Sequence, residues 1–555
     1  MAQTVNRLYS GFRGVDFRGD EINLVRSPDS LNMWKDYKET ESIRTRPGME
    51  LHSSFADPVY GLSFFNEALI VHSGTKLYKV VNGRQSLLYS GVKAAKSDSF
   101  IHVNKWYFKD GANYLVYDGA TIKSVEGFVP TTSIARKPAG GGTMYQDINL
   151  LTGKRINTFL ADGESTEFVL DAKDIDSTYK PVVKVNDKVV TNYTVDHKNG
   201  KIKFSKAPEI PLTDGQDNVS VEFRKNVKGY PERIKNCTLL QVFDNRVFFS
   251  GNKDYPSTVW HCSLDDPSYC SDLDYYHEGL DPARVKGMVA GNNALWVFRE
   301  PSQANTTVFY HTPTIDSEYG KIYPSVHSSV TTGCVGKAIN FNDDIVFFSD
   351  RGMEGISGDV TTEQVLAHRS SLVDRKLTSE KNYEDMVLDE WEGYLIVFVG
   401  DKAYLADSRA MFNHNGNGEY EWFYWELGKT VKCSRVYKGV LYVGTDDGVY
   451  TFTDNKANVE SYWTTPLDKF KYPSMLKTTN KRGCVVEATG DISVYAKLED
   501  TDFELIGKYE DVQDYFVCRI KRKKFKDLQL KFYSDKRFSL ETATIEAFIG
   551  GYIKR

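Results

Sequence analysis

The chain has 555 residues, a net charge of −5, and hydrophobic and charged fractions of 41% and 26%. It is too long for one compact core and too weakly charged for a dedicated nucleic-acid-binding surface, and its composition is typical of a soluble globular protein. The aromatic fraction of 13% favours a β-rich fold, in which aromatic side chains pair across strands.

Targeting signals and disulfides are not predicted. The N-terminal residues lack the apolar segment of a signal peptide, and no run of about 18 apolar residues is present to span a bilayer. The seven cysteines are an odd number without close pairs, which argues against a disulfide framework. We therefore expect synthesis in a reducing cytosol.

Residues 1–58 are predicted to form a lead-in of strands and turns. The stretch SPDSLNMWKDY (27–37) is predicted to form a turn with Ser and Asp as capping residues, followed by one helical turn. Pro47 and Gly48 mark a turn after the short basic strand SIRTR. This segment lies outside the repeat that follows it.

Seven segments of the chain repeat one order of turn, apolar strand, polar turn and second strand. Residues 436–454 show it most clearly, with Val, Tyr and Phe in the strands and Gly and Asp in the turns. Successive intervals between the first turns are, by subtraction, about 38, 141, 48, 50, 50 and 46 residues. The residues that mark these turns are Asn66, Asn104, Asn245, Asn293, Asp343, Gly393 and Gly439.

A period of about 40–50 residues with several strands per unit is the mark of β-propeller blades. One blade cannot bury both of its faces, so the units must stack around an axis. We therefore predict an all-β protein with a seven-bladed β-propeller, with blades 1–2 in residues 59–130 and blades 3–7 in residues 231–455. The alternative is a multi-strand sandwich with coincidental spacing. An N-terminal strand that completes the last blade would change the blade count by one.

An insert at residues 131–230 explains the long interval. Pro138 and the glycines at 140–142 indicate a linker at its start. The stretches that follow alternate apolar and polar residues between Asp-Gly, Asn-Asp and Asn-Gly turns. About 70 residues suffice for a small sandwich, so we predict an inserted small β-sandwich.

Residues 456–555 form a different, C-terminal segment. Apolar residues alternate with polar ones at 492–496 and again at 528–532. We predict a C-terminal β-sandwich domain, or a half-barrel, that packs on the propeller.

Three stretches resemble virion proteins of tailed bacteriophages. The lead-in carries a turn and a short strand ending in Arg-Pro-Gly, matched by Ser27, Pro28, Asp29, Leu31, Asn32, Met33, Arg46, Pro47 and Gly48. The insert resembles a module of phage tail and fibre proteins at Gly163, Thr166, Phe168, Leu170, Val185, Asn186, Tyr193, Val195, Asp196, Gly200, Ile202, Phe204, Ala207, Pro208, Val219, Val221 and Phe223. The C-terminal segment resembles stabilization, nozzle or tail-tube proteins at Trp463, Thr465, Pro466, Phe470, Lys477, Asn480 and Lys481.

This resemblance implies a structural role and not an enzyme. It implies a ring at the tail, as a nozzle or tube extension, that lines or closes the DNA channel and anchors tail proteins, an adaptor or fibres. The expected partners are further copies of the chain in a cyclic oligomer, a hexamer if it matches the tail axis, with DNA only in transit. The expected location is the virion tail, after assembly in the host cytoplasm.

Metal and cofactor sites are not predicted. His261, Cys262, Cys270 and His277 lie near one another in the sequence but lack the close-pair spacing of structural zinc sites. The acidic clusters lack the spaced ligand loop of calcium sites.

A glycosidase is the remaining catalytic candidate, because that reaction needs paired carboxylates across a pocket. Asp385, Asp389 and Glu390 precede Trp391, whose ring can stack on a sugar. An ordinary blade turn explains the same residues. The second hypothesis for this chain is therefore a host-surface glycan-binding or glycan-degrading propeller.

Positive charge is concentrated in the run RIKRKKFK. One explanation is an exposed strand edge, where lysines block unwanted pairing. Another is contact with an acidic patch on a neighbouring subunit or with DNA in the channel. The candidate channel- or subunit-contact residues are Arg519, Lys521, Arg522, Lys523, Lys524 and Lys526.

Overall fold

The computed structural model describes residues 3–19, 23–38, 42–317, 320–357, 360, 362–414, 416–453, 458–499, 501–520 and 524–553, without the side chains of 481 and 482. Within these residues the fold is all-β, as predicted. The described helices are short, and none is long and apolar enough to cross a membrane. They are two α-helices, Tyr230–Lys235 and Asp374–Leu377, and one 3-10 helix, Tyr383–Asp385.

The chain divides into two compact units, Met1–Leu87 with Ser328–Arg555 and Leu88–His327. Four-stranded antiparallel sheets recur in both units, and we number them 1 to 7 in the order of the repeated segments. In sheets 1 to 6 the strand order follows the chain, as in a propeller blade. The repeated pattern in the sequence therefore corresponds to one recurring sheet.

The first unit contains sheets 1, 5, 6 and 7. Sheet 1 is Val59–Phe65, Ala68–Ser73, Lys76–Val81 and Arg84–Ser90. Sheet 5 is Ala338–Phe341, Asp344–Ser349, Gly352–Ser357 and Val365–His368. Sheet 6 is Val387–Trp391, Tyr394–Val399, Lys402–His414 and Asn417–Glu426. Sheet 7 is Cys433–Tyr437, Val440–Gly444, Gly448–Thr453 and Gly48–Ser54.

The second unit contains sheets 2, 3 and 4. Sheet 2 is Asp98–His102, Lys105–Lys109, Tyr114–Tyr117 and Ile122–Ser124. Sheet 3 is Leu239–Phe243, Arg246–Ser250, Thr258–His261 and Tyr275–His277. Sheet 4 is Val285–Gly291, Ala294–Arg299, Val308–His311 and Ser325–His327. A separate hairpin joins Thr314–Asp316 to Gly320–Ile322.

Each predicted first turn is a two-residue hairpin turn with a left-handed backbone at both positions. In sheet 4, for example, φ is 52° at Asn292 and 58° at Asn293, and Gly291 pairs with Ala294 across the turn. Positive φ at both central residues is the requirement of a type I′ turn, which matches the twist of the flanking strands. Asn, Asp and Gly tolerate this conformation best, which is why the turn markers were visible in the sequence.

The last sheet is completed by a strand from the start of the chain. Gly48–Ser54 pairs antiparallel with Gly448–Thr453. This is the arrangement that the sequence analysis considered for the N-terminal strand, and it places the end of the lead-in inside sheet 7.

Neighbouring sheets within a unit contact one another through their first strands. In the first unit, Cys433–Tyr437 of sheet 7 contacts both Val387–Trp391 of sheet 6 and Val59–Phe65 of sheet 1. In the second unit, Leu239–Phe243 of sheet 3 contacts the first strands of sheets 2 and 4. This side-by-side order of first strands is typical of blades. Closure of seven blades around one axis stays a prediction.

The insert folds as two sheets around an aromatic core. The rings of Phe159, Phe168 and Phe204 pack edge-to-face, with centroids 5.4 Å and 5.1 Å apart. The six-stranded sheet is Thr143–Met144, Thr131–Arg136, Lys154–Phe159, Val219–Arg224, Val182–Val185 and Lys188–Val190. The three-stranded sheet is Glu167–Val169, Lys201–Phe204 and Tyr193–Asp196. This is the small β-sandwich that was predicted.

The C-terminal segment and the lead-in share one curled ten-stranded sheet, which we call the terminal sheet. The two ends of its strand order, Ser30–Leu31 and Met33–Lys35, are separated in the chain only by Asn32, so the sheet curls until its ends meet. The other strands are Ser461–Thr464, Leu528–Ser534, Met475–Leu498, Phe538–Tyr552, Ile43–Thr45, Thr4–Ser10, Glu504–Val512 and Tyr515–Cys518. Two short strands of the lead-in, Gly14–Val15 and Arg26–Ser27, pair in parallel and form a separate two-stranded sheet.

The terminal sheet packs on sheets 6 and 7 of the same unit. Trp34 stacks on Trp391 with ring centroids 5.5 Å apart and meets Trp425 edge-on at 5.8 Å. Trp463 and Phe452 belong to the same buried cluster. The predicted packing of the C-terminal domain on the repeated sheets is therefore present.

Candidate subunit-contact surface

Five strand segments of the terminal sheet form a platform with one buried and one solvent-facing side. Thr4–Ser10 pairs with Phe538–Tyr552, which pairs with Met475–Leu498. On the far side of Met475–Leu498 run Glu504–Val512 and Tyr515–Cys518, one after the other.

A row of three apolar residues and one threonine crosses the solvent-facing side of this platform, and we call it the outer row. Leu8 lies opposite Thr544, Thr544 opposite Val485, and Val485 opposite Val517. Leu8 is 54% exposed and Val517 is 40% exposed, and Tyr515 beside them is 64% exposed. Large apolar side chains that face water in one row are typical of contact surfaces.

The buried side of the strand Thr4–Ser10 is fixed by an ion pair. Arg7 donates two hydrogen bonds to Asp468, at 2.7 Å and 3.1 Å, and the Tyr9 hydroxyl donates to the same carboxylate at 3.1 Å. Burial, followed by the charge of Asp468, holds the pKa of Tyr9 well above its usual range. The strand is therefore held rigidly against the core.

The outer edge of Thr4–Ser10 has no neighbouring strand among the described residues. Its exposed side chains are Thr4, Asn6 and Leu8, and its one charged residue, Arg7, is buried. Natural proteins guard such edges with lysines, prolines or bulges. This edge carries none of these and is free to pair with another strand.

The opposite edge of the platform is guarded by charge. Along Glu504–Val512 and the turn after it, Lys508, Glu510, Asp511 and Asp514 are exposed. The platform therefore has two unlike edges, one uncharged and one rich in charge.

The basic run follows this charged edge directly. Arg519, Lys524 and Lys526 are exposed, whereas Lys521, Arg522 and Lys523 lie outside the described residues. The described cations lie in the connection between Tyr515–Cys518 and Leu528–Ser534, so they do not form a strand edge. The backbone N–H of Lys526 donates to Glu499 at 3.1 Å, and its carbonyl accepts from Lys477 at 2.6 Å.

A cavity of about 200 Å³ lies beside this connection. Its apolar lining comes from Ala496, Leu498, Ile506, Ile520 and Phe525, and its polar lining from Glu499, Thr501, Glu504 and Lys524. Among the predicted contact residues that the structure describes, only Lys524 lines the cavity. The cavity itself was not predicted from the sequence.

His261, at the end of the third strand of sheet 3, and Cys262 after it are held as buried neutral groups, whereas His277 of the same sheet is exposed. Burial lowers the pKa of His261 to about 4 and raises the pKa of Cys262 to about 12, and His261 Nδ1 hydrogen-bonds the Cys262 carbonyl at 3.0 Å. Among the described residues no group of three His, Cys, Asp or Glu is arranged to hold a metal.

The sugar-stacking interpretation of Trp391 is wrong. Trp391 is only 7% exposed because its ring stacks on Trp34, and its Nε1 donates to the Gly439 carbonyl at 2.9 Å. Burial raises the pKa of Asp389. Sequence analysis missed this burial because the stacking partner, Trp34, is distant in the chain.

A histidine held between two carboxylates was also missed. His368 Nε2 lies 2.6 Å from Asp374 and Nδ1 lies 3.2 Å from Glu354. Burial opposes the charged ring, but hydrogen bonds to Asp374 and then Glu354 outweigh it and raise the pKa of His368 to about 10. Because both ring nitrogens are engaged, His368 ties the helix Asp374–Leu377 to sheet 5 and has no nitrogen left to act as a base.

Comparisons with known proteins give similarities of fold only. No family model and no curated protein matches the sequence. BamB from Moraxella catarrhalis has 10% identity and a TM-score of 0.31, covering 80% of this chain and 97% of BamB. Hsv2 from Kluyveromyces lactis has 10% identity and a TM-score of 0.27, covering 66% and 98%. An exo-β-1,3-galactanase from Phanerochaete chrysosporium has 9% identity and a TM-score of 0.23, covering 55% and 95%. Similarities of this size carry no functional argument.

Proposed function

We propose that this chain is a structural subunit of a tailed-phage virion that forms a ring at the tail, as a nozzle or tube extension. The phage assignment is supported by the resemblance of the lead-in, the insert and the C-terminal segment. The mode of assembly is supported by the terminal sheet, because its edge strand Thr4–Ser10 is rigid, uncharged on its exposed side and unpaired among the described residues.

Pairing through this edge gives a ring when the partner strand lies on a different surface of the next copy. A contact between two unlike patches is heterologous, and it closes into a ring when the rotation between subunits divides a full turn. The outer row continues this contact from Leu8 toward Val517, so main-chain hydrogen bonds and apolar burial act together.

The other parts of the chain have supporting roles in this proposal. The inserted sandwich is a separate module for binding neighbouring tail proteins or fibres. The exposed cations Arg519, Lys524 and Lys526 meet an acidic surface of a neighbouring subunit or DNA in transit. A glycan-degrading role is less well supported, because Trp391 is buried.

The test is the mass of the assembled protein. We expect the full chain to form a discrete ring in concentrated solution and to occur in purified particles of the phage that encodes it. Leu8→Lys places a charge on the free edge, so it is expected to shift the ring toward monomer. Val189→Lys is the matched control, since Val189 is 63% exposed on an edge strand of the inserted sandwich. A monomer at high concentration, with no ring in particles, contradicts the proposal.

A further inference from the structure

Two buried cysteines of the terminal sheet lie directly opposite each other on adjacent antiparallel strands. Cys484 on Met475–Leu498 is the register partner of Cys518 on Tyr515–Cys518. Both are free thiols and both have 0% exposure. We propose that Cys484 and Cys518 are a modification site that forms a cross-strand disulfide when the protein meets a small-molecule disulfide.

The backbone geometry suits this bond. Directly opposed residues of antiparallel strands have Cα atoms about 4.5 or 5.5 Å apart and side chains on the same face. Disulfides span Cα separations of about 4.4–6.8 Å. The register is regular on the next two pairs, Val485 with Val517 and Val486 with Phe516, so the two cysteine side chains leave adjacent strands on the same buried face.

Burial keeps both thiols reduced until the strand Tyr515–Cys518 opens locally. Burial, and then the neighbouring Cys518, raises the pKa of Cys484 far above its usual range, and burial also raises the pKa of Cys518. The thiolate is the reacting form, so reaction in the closed sheet is slow. Cys518 ends the short strand Tyr515–Cys518 at the side of the platform, which makes it the thiol that local opening exposes first.

The reaction with glutathione disulfide balances as a two-step exchange. The Cys518 thiolate attacks one sulfur of glutathione disulfide, which forms a mixed disulfide and releases one glutathione thiolate. The Cys484 thiolate then attacks the Cys518 sulfur and releases the second glutathione. Together the two protein thiols lose two electrons and two protons. The two glutathione molecules that are released gain them.

The bond acts on the segment that carries the basic run. Arg519 follows Cys518 directly, so the disulfide ties the start of the connection with Lys524 and Lys526 to the central strand of the platform. Oxidation is therefore expected to restrict the motion of the exposed cations without altering their charge.

The test is a thiol count on the folded full chain. After incubation with glutathione disulfide, alkylation and denaturation, we expect two of the seven thiols to be lost and one linked peptide pair containing Cys484 and Cys518. Cys484→Ser and Cys518→Ser each remove the linked pair. Cys433→Ser is the control, since Cys433 is partly exposed in sheet 7 and its removal leaves the linked pair intact.

Three results overturn the proposal. The first is a full count of seven thiols after prolonged oxidation. The second is glutathione bound to either cysteine as the final product. The third is a link that joins other cysteines. Because the peptide map of the unaltered protein already decides between these results, a serine variant that fails to fold does not affect the conclusion.

Discussion

Arg7 and Asp468 form a buried ion pair that joins positions 461 residues apart in the chain, with Nε 2.7 Å from Oδ2. Their side chains are 10% and 2% exposed. The pair fixes the strand that bears the free edge, and so connects the stability of the first unit to the proposed contact surface.

Removal of one partner of this ion pair is expected to destabilise the first unit strongly. Arg7→Met leaves the Asp468 carboxylate buried without its cation, which costs about 3–5 kcal/mol in the free energy of unfolding. Urea denaturation, followed by tryptophan fluorescence, measures the shift in midpoint. Lys123→Ala removes an exposed partner of Glu126 and is expected to cost at most about 1 kcal/mol. Equal shifts in the denaturation midpoint of Arg7→Met and Lys123→Ala contradict the conclusion that Arg7 and Asp468 form a stabilising buried ion pair.

The cluster around His368 predicts a loss of stability at alkaline pH. Its folded-state pKa of about 10 lies above the unfolded value of about 6.5, so the charged ring stabilises the fold fully below about pH 6.5. This stabilisation is lost as the pH rises from about 6.5 to about 10, where the ring deprotonates in the folded protein as well.

Thermal denaturation at pH 7, 8.5 and 10 measures this loss. His368→Gln is expected to be less stable at pH 7 and to show a flatter decline toward pH 10. His52→Gln is the control, because burial lowers the pKa of His52 and its titration therefore falls below this window. An unchanged slope in His368→Gln argues against the two-carboxylate arrangement.

The recurring hairpin turns predict a residue-specific penalty. Asn293 has φ of 58°, a conformation that costs a β-branched residue about 1–2 kcal/mol. Asn293→Val is therefore expected to lower the denaturation midpoint of the second unit, whereas Asn293→Gly is expected to leave it nearly unchanged. If both variants unfold alike, the turn does not have this backbone.

Trp391 is expected to act in stability and not in sugar binding. Trp391→Ala removes a buried ring that stacks on Trp34, so we expect a cost of about 3–5 kcal/mol in the free energy of unfolding. Tyr515→Ala, at an aromatic ring that is 64% exposed, serves as the comparison and is expected to change stability little. A glycan array decides the other half of the prediction: sugar binding that disappears only in Trp391→Ala contradicts it.

The repeated sheets were predictable because their signal is local. Asn293 and Gly393 mark turns whose backbone only a few residue types adopt, and the apolar strands beside them follow directly in the chain. The inserted sandwich was predictable for the same reason. The C-terminal strands of the terminal sheet were predicted from their alternation, but the strands of the lead-in were not. Ser30–Leu31 and Met33–Lys35 are too short to show alternation, so the helical turn predicted there is wrong.

The candidate site depends on contacts between distant segments. The alternation of Val5, Arg7 and Tyr9 is visible in the sequence, but the buried acceptor, Asp468, lies at the other end of the chain. His368 and Asp374 are six residues apart, and they were missed because the segment between them follows neither a helical nor a strand period. The position of Cys484 opposite Cys518 is known only from the strand register of the folded sheet, which the sequence does not show.

The strand Gly48–Ser54 has a consequence for biosynthesis. Its partner Gly448–Thr453 emerges from the ribosome almost 400 residues later, about 20–80 s at the usual rates of translation. During that time the strand Gly48–Ser54 has been synthesised but has no strand to pair with, and it must neither aggregate nor be cleaved. Native sheet 7 therefore assembles only near the end of translation, so truncated nascent chains are expected to be substrates for chaperones and proteases.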